Sequence, residues 1–286
     1  MTHFRHSGQI TVAGILMGLA LGSLAALLLS IPYAYITVYV PFVFLNIIAT
    51  AALGGLTGLC AAKAARKGDL QSPAAYVTIG LVVGVAAEFW NWVFWIFAIS
   101  RQELLTFQPS VIVAVARNIL PEGTWGMSSG TNITGIPLLC VWVVEGAIII
   151  IACAAAALEG LKSYLCCPKC TTWFNTATKT LTYDVPAALP DVVDEFSRLQ
   201  FACLADLQPV EAAGADRYLQ LDLFFCPECS EFGCFSFTSV EMVKKKDKTE
   251  KKEDALIDKQ LLPMEQLSEL LGPGAPTRPV DSDQAT

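Results

Sequence analysis

Histidine is nearly missing from this chain. There are two, His3 and His6, both close to the N-terminal end. Their scarcity removes the side chain most used for proton transfer near neutral pH and for mixed cysteine–histidine metal sites. Charge is sparse as well: 16% of residues are Asp, Glu, Lys or Arg, where soluble proteins carry about a quarter. Basic charge is the scarcer sign, with 19 Lys and Arg against 26 Asp and Glu and a net charge of −7. Such a balance repels phosphate backbones, so no nucleic-acid partner is expected. There is no glycine loop to cradle phosphate, no nucleophile elbow, and no spacing of Ser, Lys or Asp that singles out a catalytic centre. No enzymatic activity is expected.

Apolar residues are what the chain has in plenty. They make up 54% of it, and the mean hydropathy is +0.51. Residues 1–160 carry six basic and six acidic side chains, whereas 161–286 carry thirteen and twenty, so all of the net acidity lies in the second part. The boundary near 160 divides a membrane part from a soluble part. A spanning helix needs about 20 apolar residues, because the hydrocarbon is roughly 30 Å thick and each residue rises about 1.5 Å. Four stretches meet this: 10–31, 35–62, 74–99 and 136–158. The first is too long for a signal-peptide core and lacks a small-x-small cleavage site, so it reads as a retained anchor. The expectation for 1–160 is an α-helical membrane bundle of four transmembrane helices.

Basic residues in short connections set the orientation. Lys63, Arg66 and Lys67 lie in the 63–73 connection and none lies in 32–34; Arg5 precedes the first span, and Lys162 and Lys169 follow the fourth. This places both termini in the cytoplasm of an integral membrane protein, with a bacterial inner membrane the expected location. Residues 100–135 then face outward, where Glu103 and Glu122 accompany Arg101 and Arg117. Trp90, Trp92, Trp95 and Trp125 fall near that outer interface. The apolar run between Pro109 and Pro121 is too short to span and predicts an interfacial or re-entrant helix, with Arg117 reaching the headgroups. Residues 127–135 read as a flexible loop containing an Asn132–Thr134 glycosylation sequon.

Gly14, Gly18 and Gly22 share one helix face, as do Gly54 with Gly58 and Gly80 with Gly84. Small residues at this spacing allow close helix packing, expected here within the bundle, with a homo-oligomer through Gly14, Gly18 and Gly22 as the alternative. Two acids interrupt the spans, Glu88 in the third and Glu145 in the fourth. Counted from the helix ends they sit about 18 and about 14 Å from the outer side, at similar depth. Asn91 lies one turn from Glu88 on the same face. Charge in hydrocarbon costs roughly 2.5–3.5 kcal/mol on insertion scales, so these residues are expected to face the bundle interior. Two readings follow: a clamp between the third and fourth helices, or a proton or cation site serving a small transporter or channel.

Cysteine chemistry dominates the soluble part. Cys167-Pro-Lys-Cys170 is matched by Cys226-Pro-Glu-Cys229. One C-x-x-C turn offers two sulfurs to one ion, proline stiffens the turn, and tetrahedral zinc favours four thiolates. These two motifs and their flanks resemble the zinc-ribbon class. The resemblance implies Cys167, Cys170, Cys226 and Cys229 as ligands of a structural zinc, with Cys166 and Cys234 as alternates. The motifs are 55 residues apart, against roughly 15–20 in a compact ribbon, so other structure is inserted. Rival uses of the cysteines are a redox pair, which would make a membrane thiol oxidoreductase, and palmitoylation of Cys166 and Cys167. Structural disulfides are disfavoured in a reducing cytoplasm. Cys60, Cys140 and Cys153 lie within spans as apolar filler.

The insertion alternates like a strand over 179–185, then takes helical spacing over 189–207 with Asp191 as cap. It alternates again over 217–226, where Leu219, Leu221, Leu223 and Phe225 share a face. Residues 234–243 return as the second strand of a hairpin. The expected fold of 161–243 is a small cytoplasmic α+β domain of zinc-ribbon-like type. Residues 244–286 read as a tail: a mixed charge run, then amphipathic helices carrying Leu256, Ile257, Leu261, Leu262, Leu267, Leu270 and Leu271 and broken at Pro263, then disorder from 273. The expected role is a membrane protein presenting a structural-zinc interaction module to a cytoplasmic protein partner, through the hairpin edge or the leucine-rich tail.

Overall fold

Helix α1 (Val12–Tyr39) begins where Thr11 accepts a hydrogen bond from the Gly14 N–H at 3.3 Å. It is followed by α2 (Val43–Lys67), α3 (Pro73–Ile99), the short α4 (Pro109–Ile119), a two-residue ladder of β1 (Trp125–Gly126) with β2 (Asn132–Ile133), and α5 (Ile136–Lys162). Proline stands in the first turn of α3, α4 and α5, where its missing N–H costs nothing. The computed structural model describes residues 3–40, 43–123, 125–126, 132–212, 215–229, 231–245, 248–262, 266 and 270. It forms two compact units. One is His6–Ser163; the other joins Met1–Arg5 to Tyr164–Thr286.

In the first unit, α1, α2, α3 and α5 are each long and apolar enough to cross a membrane. Their polarity is inside out for a soluble bundle. In α1, Gly14, Gly18, Gly22, Ala26 and Ser30 are buried while Leu16, Leu21, Leu24 and Leu28 are exposed. In α5, Gly146, Cys153 and Ala157 are buried and Val143, Val144 and Ile151 exposed. Small residues inside and branched apolar residues outside suit helices solvated by lipid. The glycine stripes are filled within the chain. A Cβ on Gly22 would lie 2.8 Å from that of Ala61 in α2 and 3.0 Å from Val83 in α3. Gly54 and Gly58 press on the Ile149 and Cys153 carbonyls of α5, and a Cβ on Gly80 would lie 2.6 Å from Ala154 Cα. The face of Gly14, Gly18 and Gly22 packs against Ala61 and Ala65 of α2, Leu70, and Ile79 and Val83 of α3.

The first helical boundary differs from the sequence expectation. Pro32 lies inside α1, which runs on to Tyr39, and α2 begins at Val43. A proline removes one backbone donor and is tolerated in apolar surroundings where neighbouring helices hold the helix together. Here Ser30, Tyr33 and Ala34 stay buried across it. Residues 40–42 carry no Lys or Arg, as 32–34 do not, so the charge asymmetry is unchanged. Residues 127–131 of the expected flexible loop lie outside the described residues.

The second unit contains a small ladder, β3 (Leu165–Cys166) with β4 (Trp173–Phe174), and then β5 (Lys179–Tyr183), α6 (Leu189–Ser197), β6 (Arg217–Phe225), β7 (Gly233–Lys245) and β8 (Lys248–Leu262). Strands β5 to β8 form one antiparallel sheet in sequence order. Leu219, Leu221, Leu223 and Phe225 are all buried on one face of β6, opposite Ser239, Phe237, Phe235 and Gly233. Helix α6 covers that face, with the Phe196 ring stacked on Phe237 at 4.5 Å. The α+β character agrees with the sequence. The helix is shorter than 189–207, however. It stops at Ser197, Leu199 turns left-handed at φ 62°, and a 3-10 turn covers Ala202–Ala205. Its N-cap is Ala188 rather than Asp191, which sits in the first turn and faces the helix dipole favourably.

The larger correction concerns the tail. Residues 248–262 are not solvated chain or amphipathic helix but the fourth strand, paired with β7 along its whole length. Two bulges explain the misreading. Phe235 pairs with Gln260, Phe237 with Ile257 and Thr238 with Ala255, so β8 inserts an extra residue twice. Each insertion resets the alternation, and Ile257, Gln260 and Leu262 reach the core at intervals that imitate a helix. Leu267, Leu271 and residues 273–286 lie outside the described residues. The N-terminal segment joins the same sheet: the Phe4 N–H donates to the Lys259 carbonyl at 2.8 Å, and His3 bridges to Gln260.

Candidate metal centre

The two C-P-x-C motifs occupy equivalent hairpin turns. Cys167 follows β3, and its N–H donates to the Thr172 carbonyl at 3.0 Å before β4 begins. Cys226 follows β6, and its N–H donates to the Phe232 carbonyl at 3.0 Å before β7 begins. In each turn the backbone N–H groups of the third and fourth residues face the first sulfur: Lys169 and Cys170 for Cys167, Glu228 and Cys229 for Cys226. Thr171 completes the first turn in the left-handed region, at φ 57°.

These turns bring Cys167, Cys170, Cys226 and Cys229 together, with all four sulfurs within 4.8 Å of one another. Cys167 Sγ lies 3.6 Å from Cys229 Sγ, and Cys170 Sγ 3.2 Å from Cys226 Sγ. A tetrahedron with about 2.3 Å metal–sulfur bonds has sulfur–sulfur edges of about 3.8 Å. A disulfide needs about 2.05 Å, and all four cysteines are free. The donor set is thus compatible with a zinc-knuckle-like site. Burial pushes the Cys167 thiol up and carries Cys226 to about 12. Burial also acts to raise Cys170, but hydrogen bonds from Thr172, Cys226 and Cys167 outweigh it and hold that thiol near 6. Cys170 is thus favoured as thiolate, while burial favours the thiol at Cys167 and Cys226.

Among the described residues, this is the one group of cysteines gathered for a metal. Cys166 is buried beside it, but its sulfur turns to the carbonyls of Cys167 and Thr171 at 3.8 and 3.6 Å. Cys234 is buried in the apolar cluster of Leu165, Phe174, Cys167 and Cys226, where burial carries its thiol to about 12. Both expected alternates lie outside the four-sulfur group. Cys153 is buried between helices, and Cys60 and Cys140 are exposed on the helical unit.

A second polar site lies within the helices. Glu88, Asn91 and Glu145 line one small cavity. Glu88 accepts a hydrogen bond from Trp92 Nε1 at 2.8 Å. Glu145 accepts from the Tyr33 hydroxyl, which also meets Thr50 Oγ1 at 2.9 Å. Tyr33 and Thr50 come from α1 and α2, and as single polar residues in apolar runs they gave no sequence signal. Gly146 makes the close approach possible, since a Cβ there would lie 3.3 Å from the Glu88 carboxyl carbon.

No protein-family model matches the chain, and no curated protein and no solved structure matches it either.

Proposed function

We propose that this is an integral membrane protein of a bacterial inner membrane that displays a structural-zinc domain to a protein partner in the cytoplasm. The observation that carries the reading is the four-sulfur cluster. Four thiol donors leave zinc no open position, so the ion would hold two hairpins together rather than react. When bound, it supplies folding free energy that a small core lacks. The protein's own part is to fix the turns through the N–H groups of Lys169, Cys170, Glu228 and Cys229 and to bury the inner sulfurs.

The cytoplasmic placement rests on the positions of Lys63, Arg66 and Lys67. The Phe4 N–H to Lys259 carbonyl bond places the segment before α1 and the domain after α5 in one unit, which is compatible with an even number of spans. The partner surface proposed is the described part of β7 and β8 that runs past β6, residues 242–245 and 248–251. Beyond the Arg217–Glu241 pair, β7 and β8 continue as a two-stranded ribbon without β6. An isolated ribbon of that kind is marginal in water and gains from a partner.

The test is metal analysis of the purified full-length chain beside a Cys226→Ser variant. About one zinc per chain, lost in the variant, is expected. A metal-free protein whose thiols oxidise readily in pairs would instead favour a membrane thiol oxidoreductase.

A further inference from the structure

The cavity between the helices has a volume of about 20 Å³ and is lined by Thr37, Glu88, Asn91, Glu145 and three tryptophans, Trp92, Trp95 and Trp142. That is room for one water or one small ion stripped of most of its hydration. The wall is rich in unsatisfied oxygen. Asn91 is 7% exposed, and its Oδ1 has no hydrogen-bond partner. Its other side-chain end is engaged with Glu88. Glu88 Oε2 is likewise buried without a partner, while its Oε1 receives Trp92. Asn91 Oδ1 accepts only, as does Glu88 Oε2 when ionised, and no Lys, Arg or His lines the cavity. Two carboxylates and an amide oxygen, turned inward at membrane depth without a counter-charge, call for a positive occupant.

We propose that this cavity is a binding site for one small monovalent cation, Na⁺ or a proton carried on water, held between Glu88, Asn91 and Glu145. Size and ligand number decide against divalent ions. Ca²⁺ wants 6–8 oxygens and Mg²⁺ a near-ideal octahedron that usually keeps several waters, and neither fits so small a cavity. The carboxylate charge is also partly met already, by Tyr33 on Glu145 and Trp92 on Glu88. Entry is from the α4 side. Glu88 and Trp92 also line a larger, mostly apolar cavity of about 730 Å³ between α3, α4 and α5, with Arg117 on its wall. Trp92 thus stands between the two spaces, holding Glu88. The titratable groups facing the site and its entrance are Tyr33 from α1, Glu88 from α3, Arg117 from α4 and Glu145 from α5; α2 contributes Thr50 through Tyr33. The inference rests on the helical unit alone and does not depend on zinc.

Trp92, Trp95 and Trp142 make the site self-reporting. The experiment uses the full chain in nanodiscs of uncharged lipid. Tryptophan fluorescence is followed while NaCl replaces choline chloride at constant ionic strength, and then while pH is varied without Na⁺. Binding of radiolabelled Na⁺ to the wild type is measured alongside, so that the result does not hang on a variant that misfolds. A saturable Na⁺ response near one ion per chain, abolished in Glu88→Gln and weakened about tenfold or more in Asn91→Ala, is the expected result for Na⁺. A pH response that Na⁺ does not displace, and that Glu88→Gln removes, assigns the site to a proton. Absence of both responses overturns the proposal, as does a response that survives Glu88→Gln or one that Ca²⁺ or Mg²⁺ elicits more strongly than Na⁺.

Discussion

At the scale of single residues, Cys226 separates a metal-built domain from one that merely contains cysteines. Structural zinc contributes on the order of 10–16 kcal/mol to small metal-dependent domains, as much as a whole domain's net stability of roughly 5–15 kcal/mol. Cys226→Ser is therefore expected to lose both the ion and the near-UV circular dichroism of the domain. The same substitution at Cys234, which only packs, should leave zinc content unchanged and cost stability alone. Acid should act in one direction. Burial favours the thiol at Cys167 and Cys226, and only the thiolate ligates, so protons and metal compete. Zinc affinity measured by chelator competition should weaken as pH falls, and a flat profile would count against thiolate ligation. Phe196 tests the core apart from the metal. It is fully buried and stacked on Phe237, and Phe196→Ala should cost about 3–5 kcal/mol in denaturant unfolding with zinc retained. The four-cysteine cluster was legible at this scale because C-x-x-C spacing is local chemistry. That Cys166 and Cys234 lie outside the cluster was not, because a turn aims each sulfur and spacing does not. Tyr33 was invisible for a different reason: its partner Glu145 is on another helix.

Among the elements, β8 carries the sharpest test. A tail would tolerate charge anywhere along it; a bulged fourth strand tolerates it only outside the core. Ile257→Asp should destabilise the domain by several kcal/mol, since it buries an unpaired carboxylate beside Phe237. Lys252→Ala, on an exposed position of the same strand, should stay within about 0.5 kcal/mol. Thermal melts of the two variants decide between the descriptions. Regular elements were readable and irregular ones were not. Leu219, Leu221, Leu223 and Phe225 alternate without a break, and their strand stands where the pattern put it. Leu256, Ile257, Leu261 and Leu262 carry the same apolar content across two inserted residues, which erases the period. Pro32 misled in the opposite sense, since a strong local stop signal was overridden by packing at Tyr33 and Ala34.

For the molecule as a whole, the reading requires both ends on one face of the membrane. Reporter fusions at the C-terminus and in the 102–105 connection should give opposite responses, one cytoplasmic and one external. The same response from both would overturn the orientation drawn from Lys63, Arg66 and Lys67. The hydrogen bond from Phe4 to Lys259 has a further consequence, for the order in which the protein is made. Phe4 leaves the ribosome before any helix has been inserted, and its strand partner is synthesised after the last one. Until then the segment has no sheet to join. Closing a loop that contains every membrane span is slow compared with forming a hairpin between neighbours. The sheet domain is therefore expected to finish folding only after the helices are made, so its protection from protease should appear as a late step in a synthesis time course.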